Sequence, residues 1–133
     1  GNLVPQVTSS DPSVVQAFLQ PSVDFRFNVP KMKRYTLVGG TSTVYGKHHL
    51  AHLVYKHDKD VVYFYQARFR DVAEGTSLSL PADVLNELKL TGWYFENHIP
   101  DCSLIVWLSD SLVCCVIADV SKDQLLASLQ ESE

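Results

Sequence analysis

The 133-residue sequence predicts an α+β fold: a mainly antiparallel sheet with two or three short helices packed on it. Three observations carry that expectation. The centre of the chain holds three consecutive runs rich in β-branched and aromatic residues, 35–45, 48–57 and 61–69, separated by turn residues. A second group of such runs follows at 93–98, 102–108 and 112–118. The connections among the clearest of these runs are too short for a parallel crossover, which needs a dozen residues or more.

Taken in order, residues 1–10 are polar, hold one proline and show no periodicity, which predicts a flexible tether. Residues 11–133 then form a single sensing or binding domain. Asp11 can cap a helix with Pro12 in its first turn, and Val14, Val15, Phe18 and Leu19 recur at helical spacing until Pro21. From Val23 the pattern alternates, with Phe25, Phe27 and Val29 on one side and Arg26 and Asn28 on the other, up to Pro30. That alternation predicts a short edge strand.

In the central meander, Gly46-Lys47 suits a two-residue turn with glycine at its first central position, which sets Tyr45 opposite His48. Gly39-Gly40 marks a bulge or bend in the first strand, and Asp58-Lys59-Asp60 makes the next turn. Residues 71–79 read as loop. Val84, Leu85 and Leu88 give a short amphipathic helix over 81–90 that ends before Gly92. The last two strands form a hairpin across Ser109-Asp110-Ser111. Ser121 with Gln124 makes a capping box for the final helix, Val120 can staple onto Leu125, and Leu125, Leu126 and Leu129 pack it on the sheet.

With 46 % hydrophobic and 20 % charged residues, the chain can bury a core without metals or disulfides, and intrinsic disorder is excluded for all but its ends. A formal net charge of -4 speaks against binding of phosphate backbones, so nucleic acid is not an expected partner. The longest apolar stretches, 104–108 and 112–118, fall short of the roughly 20 residues that a membrane-spanning helix needs. The first residues have neither a basic start nor an apolar run, so no signal peptide is expected.

Chemistry is sparse by comparison. His48-His49-x-x-His52, with His57 beyond, invites a metal site. On a strand, however, His48 and His52 lie about 13 Å apart and His49 faces the other way, so the spacing cannot close a tetrahedral site. The three cysteines, Cys102, Cys114 and Cys115, contain no CxxC pair. Adjacent Cys114 and Cys115 must point to opposite faces of the sheet, at least one as a buried small hydrophobe.

No Gly-x-Ser-x-Gly elbow or protease-like cysteine signature is present. Gly39-Gly40 leads into another strand instead of a helix, so no phosphate loop is formed. Asp71, Glu74, Asp83 and Glu87 read as solvated surface. The aromatic triplets 63–65 and 93–95 must place rings on both faces of the sheet, and core packing is the first expectation for them. We therefore expect no catalytic, cofactor-binding or metal residues, no cofactor and no enzymatic activity.

The order of segments carries a resemblance. Leu37-Val38-Gly39-Gly40, a glycine-containing turn, then Ala51-His52-Leu53-Val54-Tyr55-Lys56-His57 and an aromatic strand form its first part. Leu104-Ile105-Val106-Trp107, a short turn, a strand and Ala118-Asp119-Val120-Ser121 before a leucine helix form its second. Over residues 14–129 this pattern resembles the extracytoplasmic domain of bacterial membrane-anchored anti-sigma factors, the transmembrane transcriptional regulators. The resemblance implies a regulatory domain in the periplasm, part of a single-pass inner-membrane protein, tethered through residues 1–10 and controlling sigma-factor-dependent transcription.

The family's zinc motif and sigma-binding region lie in a cytoplasmic part that matches nothing in this sequence, so the sigma factor is a partner only through that part. A protein or small-molecule signal outside the membrane, or a second copy of the chain, completes the partners the resemblance implies. The alternatives are a stand-alone ligand-binding or dimerisation module without catalysis, and a small hydrolase whose site the sequence does not reveal.

Overall fold

Two meanders share one sheet. The computed structural model describes residues 5–96 and 102–130, and its elements run β1 (Val7–Thr8), α1 (Pro12–Leu19), β2 (Thr36–Tyr45), β3 (His48–His57), β4 (Asp60–Arg68), α2 (Phe69–Ala73), α3 (Ala82–Thr91), β5 (Trp93–Glu96), β6 (Ser103–Ser109), β7 (Leu112–Ala118) and α4 (Lys122–Gln130). The strands form one seven-stranded sheet in the order β1-β2-β3-β4-β7-β6-β5, and every pairing is antiparallel. The α+β class expected from the sequence is the one observed.

The hairpin turns explain the register. Tyr45 pairs with His48, His57 with Asp60 and Ser109 with Leu112, so each loop has two residues, and the first of them takes positive φ: Gly46 60°, Asp58 53° and Asp110 55°. Left-handed backbone at this position matches the right-handed twist of the flanking strands. A bulge shifts the β2–β3 register between Leu37 and Gly39, where the Gly39-Gly40 pair predicts one.

Because side chains alternate along each strand, the sheet carries a core on each face. Leu53, Phe64, Ile105 and Val116 pack on one side beneath Val15 and Leu19 of α1 and Leu125 and Leu129 of α4. Leu50, Val106, Val113 and Cys115 pack on the other, under Val72 of α2 and Val84 and Leu88 of α3. Caps fix the helix starts and stops: Asp11 accepts from the Ser13 amide at 3.0 Å, Gly92 ends α3 at φ 82°, and Ser121 and Gln124 exchange the reciprocal bonds of a capping box.

Four details differ from the sequence reading. Residues 23–29 are not a strand. Phe27 is fully buried in the first core, but the backbone here bonds to side-chain amides: Gln16 Nε2 donates to the Phe27 carbonyl, Gln20 Nε2 to the Phe25 carbonyl, and the amides of Phe27 and Asn28 donate to Gln20 Oε1 and Gln66 Oε1. These glutamines meet the backbone's hydrogen-bonding need that a neighbouring strand would otherwise supply. Residues 69–73, read partly as strand end and partly as loop, form α2. Within the segment read as a tether, Val7 and Thr8 pair with Gly40 and Gly39. The expected strand 93–98 is observed as Trp93–Glu96, with 97 and 98 outside the described residues.

Candidate functional site

Of the histidines, His48 and His52 share the sheet face that α2 and α3 cover, and His49 lies on the opposite face by alternation. His48 and His52 are not brought together. Instead, His52 is 7 % exposed and stacks on Tyr65, with Tyr63 also in contact. Burial pushes its pKa down to about 4, so the ring is neutral. His57 sits at the far end of β3, edge-on to Tyr35.

The structure gathers His48 into a cluster that the sequence reading missed. His48 opens β3, Arg68 closes β4, Asp71 lies in α2, and Asp24 follows the short 3-10 turn Gln20–Ser22. Arg68 Nε and Nη2 donate to the two carboxylate oxygens of Asp71 at 3.1 and 3.3 Å, and Nη2 also donates to Asp24 at 3.1 Å. His48 Nε2 lies 3.5 Å from Asp71, and its Nδ1 3.9 Å from Asp24.

Asp71 is 3 % exposed, which corrects its reading as solvated surface. Burial of the carboxylate is tolerable because a guanidinium meets it with two parallel bonds. The signal was Arg68 three residues earlier, within reach of Asp71 across one helical turn. Asp24, His48 and Asp71 bring ligand-type atoms within 4.8 Å of one another, but a metal ion would have to compete with Arg68 for both carboxylates. The arrangement therefore works as a clamp joining the turn after α1, the β3 and β4 ends, and α2.

Cys114 and Cys115 do point to opposite faces, one into each core. Burial raises both thiols, Cys114 to about 11 and Cys115 to about 12, so neither supplies a thiolate at neutral pH. Glu74, Asp83 and Glu87 are exposed, as read from the sequence.

A cavity of about 430 Å³ opens between the start of α3 and the sheet. Leu104, Val106 and Ile117 form its floor, Leu80 and Val84 one wall, and Asp83 and Glu96 contribute carboxylates. The Tyr94 hydroxyl donates to Glu96. At the opposite edge of the sheet, the N-terminal segment binds β2: the Gln6 amide donates to the Gly40 carbonyl at 2.9 Å, the Ser9 amide to the Val38 carbonyl at 3.0 Å, and the Ser42 amide to Gln6 Oε1 at 3.0 Å. A side chain on Gly39 would collide with the Val7 carbonyl, and one on Gly40 with Leu53 and Leu19. The glycine pair therefore admits β1 on the edge and α1 on the face.

No helix among the described residues is long and apolar enough to cross a membrane. Comparison with protein-family models, with curated proteins and with solved structures finds no match.

Proposed function

We propose that this chain is the extracytoplasmic regulatory domain of a membrane-anchored anti-sigma factor, acting without catalysis and passing its state on through the N-terminal segment. The observation that carries the reading is the seating of Val7–Thr8 on the Gly39-Gly40 step of β2. A domain outside the bilayer reaches the inner half of its protein only through its tether, so it needs an element that is either held or released. A two-residue edge strand is such an element: a few backbone bonds and the packing of Val7 on the first core hold it.

Two further features support the reading. The glycines of the family-like segment have a physical reason here, since they let β1 and α1 approach. The Cys114 and Cys115 thiols and the His52 imidazole are held neutral by burial, and Arg68 engages the buried Asp71 carboxylate, which leaves these groups poorly placed for acid, base or nucleophilic work.

The test uses the full protein and a sigma-factor-dependent reporter. Gly39→Val, which displaces β1, is expected to change reporter output, while the isolated 5–130 domain captures no sigma factor at micromolar concentration. Stoichiometric capture of a sigma factor by the isolated domain would overturn the proposal. The α3 cavity favours a second reading, a stand-alone ligand-binding module, for which Gly39→Val would leave sigma-dependent output unchanged.

A further inference from the structure

The cavity under α3 has a defined chemistry. Its floor and inner wall are aliphatic, made by Leu104, Val106, Ile117 and Val84, and its volume of about 430 Å³ is the size that takes one small molecule. The only formal charges among the described lining residues are the carboxylates of Asp83 and Glu96, with no lysine, arginine or histidine beside them. The carboxylates act on their surroundings: Tyr94 is raised to about 12, first by its hydrogen bond to Glu96, then by burial and by the charges of Glu96, Asp83 and Glu87.

This combination excludes most ligand classes. An anion would meet the two carboxylates with no cationic group among the described lining residues to offset them. An inorganic cation keeps a shell of oxygen ligands, which an aliphatic floor cannot replace. What matches both halves is a molecule with an apolar body, to displace water from the floor, and one ammonium group to lie against Glu96 and Asp83.

We propose that this cavity is a binding site for small lipophilic ammonium ions, with Leu104, Val106, Ile117 and Val84 taking the apolar body and Glu96 and Asp83 the charge. The site stands on the cavity alone and holds whichever way the sigma-factor experiment falls. Should that reading hold as well, the site supplies the chemical class of the signal.

The experiment is an amide NMR titration of the chain with 2-phenylethylammonium, the neutral isostere 2-phenylethanol and the anion 3-phenylpropionate. The ammonium is expected to shift Val84, Leu104, Val106 and Ile117 with saturation, about fivefold more tightly than the alcohol, the net advantage of one solvent-exposed ion pair. The anion should not saturate. In the double variant Asp83→Asn, Glu96→Gln, the ammonium falls to the affinity of the alcohol while the alcohol is unaffected. Equal binding of ammonium and alcohol to the native chain overturns the proposal, as does a preference for ammonium that survives in the double variant. Non-saturating shifts at scattered surface carboxylates, with none at the cavity floor, overturn it too.

Discussion

His52 and Tyr65 are direct partners across β3 and β4, their rings stacked with centroids 4.0 Å apart and planes inclined by 28°. His52 Nε2 has no hydrogen-bond partner among the described residues. A proton added there would place a charge in a site with nothing to solvate it, which is why the pKa falls from 6.5 to about 4. The folded state thus binds this proton less tightly than the unfolded chain does. The associated stability is present above pH 6.5 and is lost as pH falls towards 4, with a slope approaching one proton. Urea unfolding between pH 7 and pH 4 should show this loss in the native chain, and a shallower one in His52→Phe. Equal slopes in the two proteins would contradict it.

Displacing β1 should leave the rest of the sheet intact. In Gly39→Val the amides of Gln6 and Ser9, which donate to Gly40 and Val38, are expected to lose hydrogen-exchange protection, while the amides of β3 and β4 keep theirs. Retained protection at Gln6 and Ser9 would show that the glycine is not what admits the strand. Gly40→Ala acts differently, because its new methyl meets Leu53 and Leu19 in the core, and it should lower global stability.

Removing Arg68 strands a buried carboxylate. Arg68→Met leaves Asp71 without its two-pronged partner and should destabilise the fold, by less than the loss of a fully buried pair because the arginine is partly solvated. Asp24 is exposed, so Asp24→Ala should change stability by less than about 1 kcal/mol. Chemical denaturation of the two variants checks the ranking, and the reverse order would refute the clamp.

The capping box of α4 should be worth about 1 kcal/mol. Ser121→Ala removes the acceptor for the Gln124 amide and the partner of Gln124 Oε1, and the loss is read as a lowered midpoint of thermal unfolding. An unchanged midpoint would mean that packing of Leu125 and Leu129 alone holds this end of the helix.

Thiol accessibility separates the cysteines. Cys114 and Cys115 are buried with raised pKa values, whereas Cys102 is partly exposed. Native protein at pH 8 should therefore react with one equivalent of a disulfide reagent promptly, and with the other two only on unfolding. Prompt titration of all three would contradict the two-sided core around β7.

Much of this was legible in the chain because it is local. The hairpin at 46–47 announces itself through Gly46, and the turns read as 58–60 and 109–111 prove to be two-residue loops that open on Asp58 and Asp110, a residue type that tolerates positive φ. The capping box and the Gly92 stop are short patterns with a direct backbone meaning. What escaped depends on partners distant in sequence. The alternation at 23–29 correctly marked Phe27 as buried, but whether an extended segment pairs with a strand or with glutamine side chains is decided by where Gln16, Gln20 and Gln66 arrive. Two residues, Val7 and Thr8, are too few to show a period, and their only trace was a glycine in mid-strand. The cluster of Asp24, His48, Arg68 and Asp71 and the cavity under α3 exist only after register and helix placement are settled, so local spacing could disclose no more of them than the Arg68–Asp71 pair.

The joint between β4 and β7 has a kinetic consequence. β2, β3 and β4 close on one another through two-residue turns, as do β6 and β7, so each of those pieces can zip locally. Val62–Arg68 and Leu112–Ala118 meet only after α2, α3, β5 and β6 have been bridged, and loop-closure entropy must be overcome before that contact is rewarded. The two cores lie on opposite faces of these same central strands, with Phe64 and Val116 on one side and Ala67, Val113 and Cys115 on the other. Joining β4 to β7 therefore assembles both hydrophobic layers in one event. In folding and unfolding kinetics, substitutions along this seam should therefore slow refolding more than they hasten unfolding, and the opposite pattern would place the rate-limiting step elsewhere.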